Sequence, residues 1–354
     1  MSENKKDKSR PVKGDTLELT FRYPIRVGFL PDIHGGETRA ITLDEFETEE
    51  GQKIVPNKIQ EILRKLWLRN IELFKKYAVQ YIFVIGDAFG GANPAESGAF
   101  MSMLRPDQVK LTTQLLEEVW IGCDKKPIFF IWSGTQYHES RKGESNMHEQ
   151  LVENLRAKGI PAIYMKDISY VELFGGKDSI TDKERTRRIF IAHEAPTGLV
   201  YTATLMSRDI SWASESEATG SSLPVDAIVR GHLHHWLHVD HSGKHAVQLP
   251  CWLAHVPYKQ TIKYFFKLQP TLGGALMLMD EYGRLDFWGG SYPFSLNREE
   301  KLELNKLTVT MIGLDPKNQK HYLEREELDK RKKNPEMSED YKEKTKKLIQ
   351  RRKY

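Results

Sequence analysis

IRVGFLPDIHGG, residues 25–36, decides how the rest of the chain reads. IRVGFL is a short apolar run of strand length, and the polar cluster PDIHGG follows it at once, so a strand delivers Asp32 and His34 at its C-terminal end. Three later segments repeat the arrangement. YIFVIGD (81–87) ends on Gly86 and Asp87, RRIFIAHE (187–194) ends on His193, and DAIVRGHLHH (226–235) carries His232 and His234. In open α/β sheets the loops leaving the C-terminal ends of the strands converge on one crevice, and ligands bind there.

Helical patterns separate these strands, which predicts an α/β fold. From Asn57 to Tyr77 the residues Ile59, Ile62, Leu63, Leu66, Ile71 and Phe74 recur at helical spacing. Pro106 opens a second helix through Trp120, because proline in the first turn gives up no needed hydrogen bond. KPIFFIWSG (126–134) is the next strand, followed by a helix over Asn146 to Lys158, the strand AIYM, and the pair YVELF and RRIFIAH. HHWLHVD and KHAVQLP flank the short turn HSG as a hairpin, and GGALMLMD with GRLDFWG forms a last strand pair. Ala88–Arg105 and Leu205–Leu223 are rich in Gly, Ser and Ala and read as long loops.

The strand-end residues are metal-ligand types. Asp32 and His34 can point toward one ion from one loop, and His232 and His234 from another. Imidazole together with carboxylate suits manganese, zinc, iron or nickel better than calcium, which takes an all-oxygen shell. Asp87 can place one oxygen on each of two ions ~3.5 to 4 Å apart, the spacing of two-metal hydrolases.

Taken in order, Asp32-x-His34, Gly86-Asp87, a glycine motif at Gly134, the strand-end His193 and Gly231-His232-x-His234 resemble the calcineurin-like metallophosphoesterase superfamily. Its motifs run D-x-H, G-D, G-N-H-[DE], H and G-H-x-H. The resemblance spans Asp32 to His234 and extends loosely to Phe287. It implies a four-layer α-β-β-α sandwich of two mixed sheets flanked by helices, and two divalent metal ions. Asp32, His34, Asp87 and His234 would hold the first ion, and Asp87, His193 and His232 the second. It also implies hydrolysis of a phosphate-ester substrate, with a metal-bridging hydroxide attacking phosphorus in line.

One motif departs. Gly134-Thr135-Gln136-Tyr137-His138-Glu139 replaces G-N-H-[DE], without the Asn and with two residues inserted, a form similar to some phage-encoded and prokaryotic members. Two roles stand for His138: proton donor to the leaving oxygen, or substitute metal ligand. The retained acidic neighbour Glu139 favours the first. Gln136 or the Thr135 hydroxyl is a candidate for the missing Asn's position, and Arg230 for a phosphate contact.

Outside these motifs the chain constrains less. Of the net charge of +4, residues 1–13 carry +3 and residues 317–354 carry +6, so the body between them carries −5. The expected organisation is a disordered basic arm over 1–16, the domain over 17–316 and a charged helical or disordered tail over 317–354. Basic ends attract polyanions such as nucleic acid, although a mixed-sign solvated helix has the same composition. That tail motivates a phosphodiesterase acting on nucleotides or nucleic acid. A phosphomonoesterase or protein phosphatase, and a non-catalytic scaffold on the same fold, are the alternatives. No apolar run approaches the ~20 residues of a membrane span. Cys123 and Cys251 have no paired spacing, and a cytoplasmic location is expected. Oligomeric state is not legible. His148 reads as a surface helix residue, His255 as a weak site candidate, and Trp132, Trp236 and Trp252 as core.

Overall fold

The computed structural model describes residues 15–20, 24–91, 100–102, 104–135, 138, 146–177, 184–194, 202–254 and 269–311. Their elements, in chain order, begin with strands β1 (Asp15–Thr20), β2 (Ile25–Phe29), β3 (Phe46–Glu47) and β4 (Lys53–Ile54). Helix α1 (Lys58–Lys76), β5 (Tyr81–Ile85), α2 (Arg105–Gly122), β6 (Ile128–Trp132), α3 (Met147–Ala157) and β7 (Ala162–Lys166) follow. Then come β8 (Ile168–Lys177), β9 (Glu184–Ala192), α4 (Thr202–Ala218), β10 (Ala227–Arg230), β11 (Leu237–His241) and β12 (Lys244–Gln248). The last are β13 (Ala275–Met279), β14 (Leu285–Gly289) and α5 (Arg298–Met311).

The strands form two mixed six-stranded sheets, ordered β14-β13-β2-β5-β6-β7 and β1-β8-β9-β10-β12-β11. Val27, Phe29, Phe83, Ile85, Phe130 and Trp132 of the first sheet share one buried apolar cluster with Val171, Ile189, Ile191, Val229 and Val247 of the second. The sheets therefore pack face to face. Helix α3 packs on β6 and β7, and Phe74 of α1 lies against Gly28 of β2, so these helices cover the outer face of the first sheet. Helix α4 covers β11 and β12 on the outside of the second. The result is the α-β-β-α sandwich that the motif order implied. The chain divides into two compact units, Met1–Lys301 and Leu302–Tyr354, and the sandwich belongs to the first.

Local sequence explains where the helices start. The Asn57 side chain accepts from the Gln60 backbone while the Gln60 side chain accepts from the Asn57 N–H, a capping box that satisfies two orphan donors. Pro106 sits in the first turn of α2. The central parallel strand β5 is buried along its whole length, so it reads as a continuous apolar run rather than an alternating one.

Three expectations need correction. Leu205–Leu223 is not a loop: most of it belongs to α4, whose Leu205, Met206, Asp209 and Ile210 are buried. Its Ser and Ala content hid a helical stripe that tertiary packing against Ala246 stabilises. The expected arm over 1–16 ends early, since Asp15 and Thr16 already pair in parallel with Ser169 and Tyr170. His148 is fully buried rather than on the surface, between the rings of Phe89 and Tyr164. Trp132 and Trp252 are core residues as expected.

Candidate metal centre

The loops after β2, β5, β9 and β10 are laced together by their own main chains. Asp32 N–H donates to Gly86 O at 3.3 Å, His34 N–H to Asp87 O at 2.9 Å, and Gly231 N–H to His193 O at 3.2 Å. Trp252 N–H, from the segment after β12, donates to Asp32 O at 2.9 Å. Asp32 and Trp252, far apart in sequence, thereby become neighbours.

The backbone at this place is strained. Nine non-glycine residues among those described have positive φ, and five of them are Asp32 (48°), His34 (51°), Asp87 (39°), His232 (74°) and His234 (58°). A left-handed conformation costs an L-residue roughly 1–2 kcal/mol, so a concentration of such residues at one crevice marks a place where function dictates geometry.

Three donor triads result among the described residues, one of them His34, Glu37 and His138, which shares His34 with the first of the two at the strand ends. In Asp32, His34 and His234 one ligand atom from each lies within 4.8 Å of the others, and the same holds for Asp87, His193 and His232. In these two triads all but His232 and His234 are buried. In the first triad His34 Nε2 is 3.3 Å from His234 Nε2, and His234 Nε2 is 3.2 Å from Asp32 Oδ1. In the second, His193 Nε2 is 3.1 Å from Asp87 Oδ2. Ligands at ~2.0–2.1 Å from a tetrahedral ion stand roughly 3.3 Å apart, so these spacings fit a shared cation. The His232 N–H ties the triads together by donating to both Asp32 carboxylate oxygens at 3.2 Å.

Protons report the same fit. His193 Nδ1 donates to Ile85 O at 3.1 Å, which leaves Nε2 as the lone-pair nitrogen in the neutral ring. Among the described residues that buried Nε2 has no hydrogen-bond partner, and it stands 3.1 Å from Asp87 Oδ2, so two electron-rich atoms meet where a cation could be held. Without one, burial pulls the His193 ring down, but the Asp87 and Asp32 charges outweigh it and push the ring up to about 9. Asp87 is held well below the usual carboxylate range: its own burial opposes this, and the charge of His193 prevails. His234 is raised against its burial by Cys251 and Asp32, whereas burial and His193 lower His232.

Glycines make the crevice possible. A Cβ on Gly86 (φ +65°) would stand 2.1 Å from His193 Nδ1, and one on Gly134 would stand 2.1 Å from Asp87 Oδ1. Thr135 grips Asp87: its N–H and its hydroxyl donate to Oδ1 at 2.7 and 3.1 Å. His138 joins the same rim. Its Nδ1 donates to Gly90 O at 2.9 Å, its Nε2 is 3.8 Å from Asp87 Oδ2, and burial with the nearby His34 lowers its pKa.

Of the residues singled out in the sequence, the structure thus brings together Asp32, His34, Asp87, His138, His193, His232 and His234. Arg230 is turned away. Strand alternation points it at the outer helix, where Nε donates to Asp209 of α4 at 3.1 Å and an Nη to Glu194 O at 2.8 Å. Gln136, Glu139, His255 and both basic ends lie outside the described residues. Sequence reasoning missed Glu37, whose Oε1 is 3.2 Å from His34 Nδ1, and Cys251, whose contact raises His234. Neither belongs to a spaced motif. The one available signal was the place of Glu37 in the same loop as Asp32 and His34.

No family model matches the sequence, and neither does any curated protein. Similar solved structures include a predicted phosphoesterase from Streptococcus pneumoniae, 13% identical, covering 77% of this chain and 96% of that one with a TM-score of 0.30. A novel archaeal phosphodiesterase is 14% identical over 75% of this chain and 99% of its own, TM-score 0.34. Zinc-complexed Vps29 of Entamoeba histolytica is 9% identical over 75% and 97%, TM-score 0.33. Likenesses this loose carry nothing over to this chain's chemistry. Among the described residues no helix is long and apolar enough to cross a membrane.

Proposed function

We propose that the chain is a dinuclear metal-dependent phosphoesterase, with Asp32, His34 and His234 around one divalent ion and Asp87, His193 and His232 around the other. The observation that carries this reading is the pair of triads at converging strand ends, above all His193 Nε2 facing Asp87 Oδ2. Bound divalent ions supply an acidified water nucleophile and neutralise charge on the phosphate. Imidazole and carboxylate donors suit manganese, zinc, iron or nickel.

The chain's own residues do the rest. Thr135 holds Asp87 Oδ1 by its N–H and hydroxyl, while Oδ2 faces His193 Nε2 at 3.1 Å. His138 is the proposed donor to the leaving oxygen: with Nδ1–H given to Gly90 O, Nε2 is the lone-pair nitrogen of the neutral ring, so the ring must take up a second proton there and pass that proton on. An anionic phosphate beside that ring raises its affinity for a proton. The G-T-x-x-H arrangement is then a working variant of G-N-H-[DE], with Thr135 orienting the carboxylate.

The preferred substrate class is a phosphodiester of nucleotides or nucleic acid, which the basic ends at 1–13 and 317–354 support. Hydrolysis of a bis-aryl and a mono-aryl phosphate with added manganese tests this preference, and turnover of the monoester alone would remove it. Asp87→Asn is expected to cut hydrolysis by at least about 100-fold, because several kcal/mol of charge stabilisation depend on the bound ions.

A scaffold without catalysis has one observation in its favour, the engagement of Asp87 Oδ1 by Thr135. Metal analysis of the purified protein separates the readings: no bound metal and no metal-stimulated hydrolysis would favour the scaffold.

A further inference from the structure

Glu37 lies outside every motif in the sequence, yet it is 6% exposed and sits against the first triad. A buried carboxylate is costly unless a partner compensates it. Its Oε1 stands 3.2 Å from His34 Nδ1. A carboxylate only accepts, so Nδ1 carries the proton and donates. Nε2 is then the lone-pair nitrogen, and it faces His234 Nε2 at 3.3 Å. Metal-binding histidines are commonly oriented in this way, with the far N–H given to a carboxylate or carbonyl that sets both tautomer and ring plane.

The surroundings hold Glu37 on several sides. Its carbonyl accepts from Gln60 Nε2 of α1 at 3.3 Å, and its N–H donates to His34 O at 3.2 Å. It also forms an isolated bridge with Phe100. A Cβ on Gly90 would come within 2.7 Å of Glu37 Cγ, so that glycine leaves room for the side chain. The neighbouring loop, α1 and the glycine thus aim one carboxylate at one imidazole nitrogen.

We propose that Glu37 is a positioning residue of the metal centre, holding His34 in the Nδ1-protonated tautomer with Nε2 turned toward Asp32 and His234. This role rests on the reading of His34 as a metal ligand.

The test is calorimetric titration of the metal-free full chain with Mn²⁺, for the wild type, Glu37→Gln, Glu37→Ala and His34→Ala, with the metal-free Tm of each. Glu37→Ala is expected to weaken one of the two binding events by about 10- to 100-fold. Glu37→Gln, whose amide oxygen still accepts from Nδ1–H, should lose less and keep the wild-type metal-free Tm. Wild-type affinity in Glu37→Ala, with His34→Ala weakened, would overturn the inference and leave the functional reading intact. Wild-type affinity in His34→Ala would remove the functional reading, and this inference with it. A metal-free Tm that falls in step with affinity in Glu37→Gln would make Glu37 a structural residue only.

Discussion

In the triad of Asp32, His34 and His234 the far nitrogen of His34 goes to a side chain, the carboxylate of Glu37. In the triad of Asp87, His193 and His232 the far nitrogen of His193 goes to the main chain at Ile85 O, and Asp87 is gripped partly by the Thr135 amide. Side-chain orientation can be deleted by one substitution. Main-chain orientation can be disturbed only by moving the backbone or crowding it, so the two halves of one centre should fail in different ways.

The sharpest way to break the second half is Gly86→Ala. The new methyl would overlap His193 Nδ1 at 2.1 Å on a residue with φ +65°, so both space and backbone oppose it. A loss of about 3 kcal/mol or more in metal-free stability is expected, together with loss of one metal per chain. Denaturant unfolding and metal analysis check both.

A second contrast lies beneath the triads. His148 is buried near Asp87, and burial pushes its pKa down to about 4 from 6.5. A folded ring that resists protonation stabilises the fold fully above pH 6.5, and this contribution is lost as pH falls from 6.5 to about 4. Roughly 3 kcal/mol is at stake over that window. Urea midpoints of metal-free protein between pH 7.5 and 4.5 should fall more steeply in the wild type than in His148→Leu, and equal slopes would refute the assignment. His193 titrates in the opposite sense, so the difference between the two proteins is the quantity that isolates His148.

The mildest test removes only the side-chain part of the grip on Asp87. Thr135→Val keeps the amide bond at 2.7 Å and deletes the hydroxyl at 3.1 Å. An effect of about 1 kcal/mol, or about 5-fold in metal affinity, is expected. A much larger effect would mean that the hydroxyl itself serves as a ligand.

Much of this architecture is legible in the sequence. Asp32, His34, Asp87, His193, His232 and His234 each stand immediately after an apolar strand, and such strands bring their ends to one crevice. The helix α4 was hidden because Thr202–Ala218 is rich in Ser and Ala, and its buried stripe has meaning only against β11 and β12. Arg230 illustrates the limit on side-chain direction. Its neighbour Val229 enters the inner core, so alternation sends Arg230 to the outer layer, and the sequence does not say which face is inner.

By itself, then, the sequence determined the order of strands and the ligand types at their ends, because periodicity and strand-end position are local properties. The grouping of the donors was implied by the family resemblance, and only the tertiary structure decided which nitrogen of His34, His138 and His193 faces inward and which group holds the other. Those depend on contacts between loops as far apart as Asp32 and His232, and on single groups such as Glu37, Ile85 O and Gly90 O that no spacing rule marks.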